Sequence, residues 1–419
     1  MKILVYPHDL AVGGSQLNAI ELAVAVEKQG HEIAIIGQSG PLETKIAELG
    51  LEFISLPRPG RRPDLRVVRF LRRLVQERGI DIVHGYEWPP ALEALLSCYL
   101  TTASPVVTVL SMSVAPFIPR HVPLIVGTEQ IAQAEREYGR AFVRLMEPPV
   151  DLLVNSPSAN LPVDEMAARW GIHRQGLTIT VVSRLAHEMK LEGILSAISF
   201  VRSWKGDQKV QLLVVGSGPA EAEVAAAARQ ANAKLGEKRV VLTGEIPDPR
   251  WAYAVSDVVL GMGGSALRGM AMGKPLIVQG ERGFWKTLKN ETVDYFLWHG
   301  WYGVGAGPEY GEESLFNELG PLIEDRSLRE QLGRYSLSVV QDRFSLEAAA
   351  LRQIEYYRQV LNYRPLGGTS RLSTLQGACG LVGYEMERLK QRLRGTAAND
   401  DFNATPVVGR SLPVGGVHR

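Results

Sequence analysis

Two stretches hold the residues best able to do chemistry. TITVVSRLAHEMKLEGILSAI, Thr178 to Ile198, reads as a β-branched strand leading to Arg184, with Lys190 at the start of an apolar-periodic helix. SDVVLGMGGSALRGMAMGKPLIV, Ser256 to Val278, reads as a strand, a glycine turn at Gly261, Gly263 and Gly264, and a small-residue helix. The first turn of a helix presents N–H groups and a positive dipole end, which favour an anion. Two cations and one such helix start can hold a diphosphate and stabilise charge that grows on it. The plainer alternatives are a surface pair at Arg184 and Lys190 and glycines that serve only a tight turn.

The elements around these stretches alternate. KILVY, HEIAIIG, LEFISL, DIVHG, PVVTVL and VPLIVG read as strands in the first part, separated by helical spacing. LTITVVS, VQLLVVGSG, RVVLTGE, DVVLGMG and KPLIVQG repeat the pattern in the second. The fold class this implies is α/β, with two Rossmann-like doubly wound parallel-sheet domains facing across a cleft. The proline-rich EPPVDLLVNSPSANLP suits their connection. The expected domains are 1–160, 161–345, a helix over 346–364 that crosses back to the first domain, and a mostly flexible tail over 365–419 interrupted by an amphipathic patch from Tyr384 to Leu393.

Composition narrows the class. The chain has 419 residues, 45% hydrophobic and 22% charged, with a formal net charge of +1. That length exceeds one ordinary core, and the charge gives no electrostatic footprint for nucleic acid. Cys98 and Cys379 are too far apart and too few for a disulfide framework or a zinc motif, which fits a reducing compartment. The short apolar opening breaks at Pro7-His8-Asp9, so it reads as a buried strand and not a leader. No run of about 18 apolar residues suggests a membrane span. The expected location is cytoplasmic, peripheral to the inner membrane face if Arg58, Arg61, Arg62, Arg66, Arg69, Arg72 and Arg73 meet anionic lipid; a charge run is otherwise a solvated helix face.

The order and spacing of GGSQ, GIDIVHGY, VVSRLAHEMKLEGILSAI, LLVVGSGP, VVLTGEI, SDVVLGMG and GMAMGKPLIV resemble a GT-B glycosyltransferase of the family 4 type, from about Met1 to Leu361. The resemblance implies transfer of a sugar from a nucleotide diphosphate donor, commonly with retention. It implies that Arg184 and Lys190 grip the diphosphate as the catalytic pair. Gly13 and Gly14 would let donor phosphate approach the first strand. Gly264, Ser265 and Ala266 would supply the helix N-terminus, and Gly216 and Gly218 would border the nucleoside. No Asp-x-Asp motif is present, so neither a metal nor a cofactor is expected. The donor is the expected small-molecule partner, with a glycan, lipid-linked or small-molecule acceptor.

The chain departs from that family in three places. The glycine loop is short and lacks the first family glutamate. Arg268 stands where the second glutamate usually binds ribose hydroxyls, and a guanidinium cannot accept those bonds. The segment Thr108-Val109-Leu110-Ser111-Met112 lacks the usual histidine. The short GGSA loop resembles the lipid-linked N-acetylglucosamine transferases of the same fold. Arg268 and Glu281 join the candidate donor residues, Arg268 with a structural role as its alternative.

His84, Tyr86 and Glu87 follow a strand end where acceptor contacts would fall, with a packed loop as the alternative. His121 and Glu129 are weaker candidates. Phe284-Trp285 and Trp298-His299-Gly300-Trp301-Tyr302 read first as packing clusters. Two rival functions stay open: a degenerate GT-B partner protein without activity, and a sugar-nucleotide epimerase, which needs cleft carboxylates as acid and base.

Overall fold

The computed structural model describes residues 1–173, 175–363 and 367–394. The chain forms two units, Met1–Pro148 with Leu346 onward, and Pro149–Ser345. The junction falls earlier than the expected 160/161. The Val150 N–H donates to the Phe344 carbonyl at 2.8 Å, and Leu152 and Leu161 pack on the second unit's core. Those contacts draw the proline-rich segment into the second unit.

The first unit runs β1 (Lys2–Tyr6), α1 (Gly14–Glu27), β2 (Glu32–Gly37), α2 (Glu43–Glu48), β3 (Glu52–Ser55), α3 (Leu65–Arg78), β4 (Ile82–Tyr86), α4 (Trp88–Cys98), β5 (Ser104–Val109), β6 (Leu124–Val126), α5 (Glu129–Glu137) and β7 (Val143–Leu145). The sheet order is β3-β2-β1-β4-β5-β6-β7, parallel throughout. Such a sheet is covered on both faces, which is why Ile3, Leu4, Val5 and Tyr6 are all buried. The order reverses between β1 and β4, and in open α/β sheets ligands bind at the strand ends there. Local chemistry sets the element ends: Asp64 caps α3 by accepting the Arg66 N–H at 2.8 Å, and Gly79 (φ 63°) ends it in the left-handed region.

The second unit runs α6 (Val163–Trp170), β8 (Leu177–Val182), α7 (Leu191–Ser203), β9 (Val210–Val215), α8 (Glu221–Leu235), β10 (Val240–Leu242), α9 (Arg250–Val255), β11 (Val258–Gly261), α10 (Gly263–Ala271), β12 (Leu276–Gln279), β13 (Trp285–Thr287), α11 (Val293–His299), α12 (Gly311–Glu324) and α13 (Arg326–Arg343). Its sheet order is β10-β9-β8-β11-β12-β13. Only β13 runs antiparallel, along β12 at the edge. Trp285 and Trp301 are buried, so most of the aromatic density here is core.

The chain then returns to the first unit. Helix α14 (Leu346–Asn362) buries Ala349, Ala350, Ile354 and Tyr357 in one cluster with Ala19, Ile20 and Ala23 of α1. Helix α15 (Gly367–Arg394) follows, 28 residues long, where a flexible tail is expected from composition. Its glycines explain the misreading. A Cβ on Gly377 would lie 2.6 Å from the Phe117 carbonyl oxygen, so small residues are what allow this helix to pack closely. Residues 395–419 lie outside the described residues. No helix among the described residues is long and apolar enough to cross a membrane.

Candidate active site

In the second unit, Arg184 and Lys190 lie just beyond β8, at the point where the sheet order reverses between β8 and β11. Arg184 is exposed and makes no ion pair among the described residues. Its loop is held by backbone contacts. The Ser183 N–H donates to the Val215 carbonyl at 3.0 Å, and the Leu185 N–H to the Ser217 carbonyl at 2.9 Å. Gly216 (φ 134°) and Gly218 (φ 156°) make this possible. A Cβ on Gly216 would overlap the Ser183 carbonyl oxygen, and one on Gly218 would press on that of Leu185. These two glycines therefore show a direct role in seating the Arg184 loop, beyond the nucleoside border that the family pattern implies.

Lys190 caps α7 and follows Met189, which holds φ at 62°. The Gln279 side-chain amide donates to the Met189 carbonyl at 3.3 Å and to the Lys190 carbonyl at 3.1 Å. Gly193 gives Gln279 its space, since a Cβ there would lie 2.5 Å from the amide carbon. Burial lowers the Lys190 pKa to about 8, and the Glu281 carboxylate opposes that shift. Glu281 accepts a hydrogen bond from the Tyr302 hydroxyl. Glu192, in the first turn of α7, accepts the Arg282 N–H at 3.1 Å and the Gly283 N–H at 2.5 Å, which ties the Glu281 loop to α7. Glu281 thus acts on the lysine through its charge, beyond the reach of a direct ion pair.

Helix α10 opens at Met262. Two of its first-turn N–H groups are already used: Gly263 donates to the Trp301 carbonyl at 3.1 Å, and Ser265 to the Met262 sulfur. The Ser265 hydroxyl donates to the Met262 carbonyl at 3.0 Å. Ala266 is buried in the core. Gly264 remains as the first-turn group that can face an anion. Arg268 reaches back over it, with Nη1 3.4 Å from the Gly264 carbonyl. The cation in place of the usual glutamate therefore reinforces the positive end of α10.

In the first unit the acceptor candidates separate. His84 has 0% exposure and Tyr86 2%. His84 Nδ1 lies 2.7 Å from the Tyr357 hydroxyl and Nε2 2.7 Å from Thr108 Oγ1. Burial holds its imidazole pKa down at about 3, so it is a neutral bridge between β4, β5 and α14. Tyr86 packs in the core of the unit. The acceptor assignment of these two is corrected: strand alternation turns both inward, and only the residue after the strand can face a ligand. His84→Ala should lower stability by about 2–4 kcal/mol, from the cavity and two stranded hydroxyls, while leaving acceptor KM of the folded enzyme unchanged. Thermal melts with parallel kinetics check both halves of that statement.

Glu87 is the residue that reaches the reversal point, with φ at 66°. It accepts from Ser15 Oγ at 3.2 Å, the Leu110 N–H at 3.0 Å and Ser111 Oγ at 2.9 Å. Its pKa is raised by burial, against the opposing pull of His8 and these three donors. His8 lies 3.1 Å from Gln16 Nε2, and that amide donates to Asp9 at 2.5 Å. Gly13 is extended (φ −158°), and its lack of a side chain leaves room for Gln16, while a Cβ on Gly14 would meet open space. His8, Ser15 and Ser111 were not among the sequence candidates. The signal for His8 was its place at the end of the first strand, where Pro7-His8-Asp9 registered only as a break.

Of the residues other than glycine held at positive φ among the described residues, Glu87, Met189, Arg282 and Trp301 all lie at these two sites, with Leu100 the exception. Such backbone strain concentrates at functional positions. The arginine run divides. Arg62 forms a buried 2.7 Å pair with Glu93 and donates to the Tyr6 hydroxyl, and Arg72 donates to the Leu96 carbonyl at 2.6 Å. Arg58, Arg61, Arg69 and Arg73 remain exposed.

Residues 12–184 match the sequence model of Glycosyltransferase Family 4, and residues 176–297 match that of Glycosyl transferases group 1. A phosphatidyl-myo-inositol mannosyltransferase of Propionibacterium freudenreichii is 25% identical over 365 residues, covering 79% of this chain and 88% of that one. Among solved structures, a glycosyltransferase of Rickettsia africae superposes with a TM-score of 0.69 at 17% identity, covering 87% of this chain and 99% of that one. The Anabaena protein HepE in complex with UDP gives 0.67 at 15%, covering 86% and 100%.

Proposed function

Because the chain belongs to the GT-B glycosyltransferases of the family 4 type and takes its sugar from a nucleotide donor, we propose that the second unit binds a nucleoside diphosphate sugar through Arg184, Lys190 and the Gly264 end of α10. The observation that supports this reading is the placement of two cations after β8 and of a helix start after β11, the two strands that flank the reversal point of one sheet. As the bond from the anomeric carbon to the diphosphate oxygen breaks, negative charge collects on the leaving group. Arg184 and Lys190 stabilise that charge, and the acceptor oxygen forms the new bond to the same carbon. Retention and metal independence complete the proposal, since these cations can supply the charge that a divalent ion supplies elsewhere.

The acceptor is placed on the first unit beside Glu87, whose raised pKa suits a group that exchanges a proton with a hydroxyl. The Propionibacterium relative is by name a phosphatidyl-myo-inositol mannosyltransferase. A lipid-linked acceptor agrees with the exposed Arg58, Arg61, Arg69 and Arg73, which can meet anionic headgroups at the cytoplasmic face of a membrane.

Thermal unfolding with UDP, GDP and dTDP, each with its sugars and with EDTA present, tests the donor site. One nucleotide should stabilise the protein by about 2.7 kcal/mol at a hundred times its Kd, with EDTA making no difference. No shift with any of them would sink the proposal. It would favour a partner protein that has kept the fold, a reading that Arg268 and the missing histidine support.

A further inference from the structure

Helix α15 shows a solvent face that a surface helix does not ordinarily carry. Its inner face is small and polar or aromatic. Ser373 Oγ accepts the Arg120 N–H at 2.6 Å, Gly377 and Gly380 lie against Phe117, and the Tyr384 ring packs on Phe117 and Trp88 at 5.0 and 5.9 Å. The opposite face carries Leu372, Leu375, Cys379, Val382, Met386, Leu389 and Leu393. Cys379 is exposed, and the other six are between 58% and 81% exposed. Successive members are three, four, three, four, three and four residues apart, which is the a/d spacing of a coiled coil over three heptads.

We propose that this face is the seam of a homodimer, in which α15 of one copy packs in parallel along α15 of a second. The narrowness of the stripe favours another helix over lipid. A strict a/d line is a coiled-coil seam, whereas a helix lying in a bilayer surface has a broader apolar face, usually with bulky aromatics, and a basic polar face. Here the stripe has no aromatic residue, its flanks mix Arg371, Gln376, Glu385, Lys390 and Arg392, and its inner face is occupied by the protein's own core. Charge agrees with the orientation. With Leu372 at position a, Glu385 falls at g and Lys390 at the following e. A parallel pair sets Glu385 of each copy opposite Lys390 of the other, twice by symmetry, in exchange for the 3.5 Å contact of Glu385 with Arg61 and the 3.7 Å contact of Lys390 with Glu387 within one copy. A groove of about 400 Å3 between the second half of the stripe and Arg61, Arg62 and Pro63 leaves room beside the seam. The helix is already folded on its own body, so association need not order it.

Sedimentation velocity of the full chain across a concentration series tests this. Twice the chain mass is expected at tens of micromolar, falling to the single-chain mass in Met386→Glu/Leu389→Glu. Both side chains point outward, so circular dichroism should be unchanged, and so should the melting temperature at concentrations where the wild type is monomeric. A short bismaleimide should link the wild type through Cys379, because Cys98 is buried. A wild type that stays monomeric at every concentration overturns the proposal. So does a monomer that cosediments with anionic phosphatidylglycerol vesicles and loses that binding in the double variant, which would assign the face to lipid.

Discussion

Lys190→Ala and Arg184→Ala should each lower kcat/KM by roughly 10²–10³-fold, the loss seen when one preorganised donor to a developing oxyanion is removed. The effect should fall mainly on kcat, because charge on the diphosphate is greatest as the sugar leaves. Loss of fold is not expected to confuse the result. Arg184 is exposed and forms no ion pair among the described residues, so its truncation removes little native packing. Lys190 carries its charge at the expense of burial, and alanine relieves that cost. Both variants should melt close to the wild type while UDP protection shrinks. The double variant should fall short of the product of the two losses, since both cations act on one leaving group. Unchanged turnover and unchanged UDP protection in both single variants would exclude this mechanism.

The sequence carried the architecture because parallel strands buried on both faces leave continuous β-branched runs, and helix starts leave caps and glycines. KILVY and TITVV became strands, and the small-residue segment after Gly263 became a helix, for those reasons. What stayed hidden depended on direction and crowding. The HGYE run gave no sign that His84 and Tyr86 sit in the core while Glu87 turns to Ser15, Leu110 and Ser111, because its φ of 66° is set by those tertiary contacts. Gln279 ended an apolar strand and looked unremarkable, yet it fixes the Lys190 carbonyl across 89 residues of chain. Helix α15 was masked by Gly377 and Gly380, low-propensity residues that a close neighbour requires. In each case the missing information was the identity of a distant contact.

The pKa of Lys190 makes donor binding pH-dependent in a way that no other cation of the site can. Burial brings it to about 8, so in the free enzyme the ammonium loses its proton through that region. The second ionisation of a terminal phosphate lies near ~6, so the nucleotide itself is fully charged above neutrality. A bound diphosphate favours the protonated lysine, and binding must then take up a proton. UDP affinity should therefore fall by about tenfold per pH unit above pH 8, measured by calorimetry. Folding has the opposite sign. The unfolded lysine titrates near ~10.4, so between about 8 and ~10.4 the unfolded chain holds more protons than the native one. This group's contribution to stability is present above that window and is lost as pH falls through 8. Ligand-free stability should gain with rising pH over the same range in which nucleotide affinity declines. Lys190→Arg should abolish both slopes, and Glu281→Gln should move the affinity break below 8 by removing the carboxylate that holds the proton on. A flat affinity profile from pH 7 to 10 in the wild type would mean that Lys190 does not touch the diphosphate, even if Arg184 does.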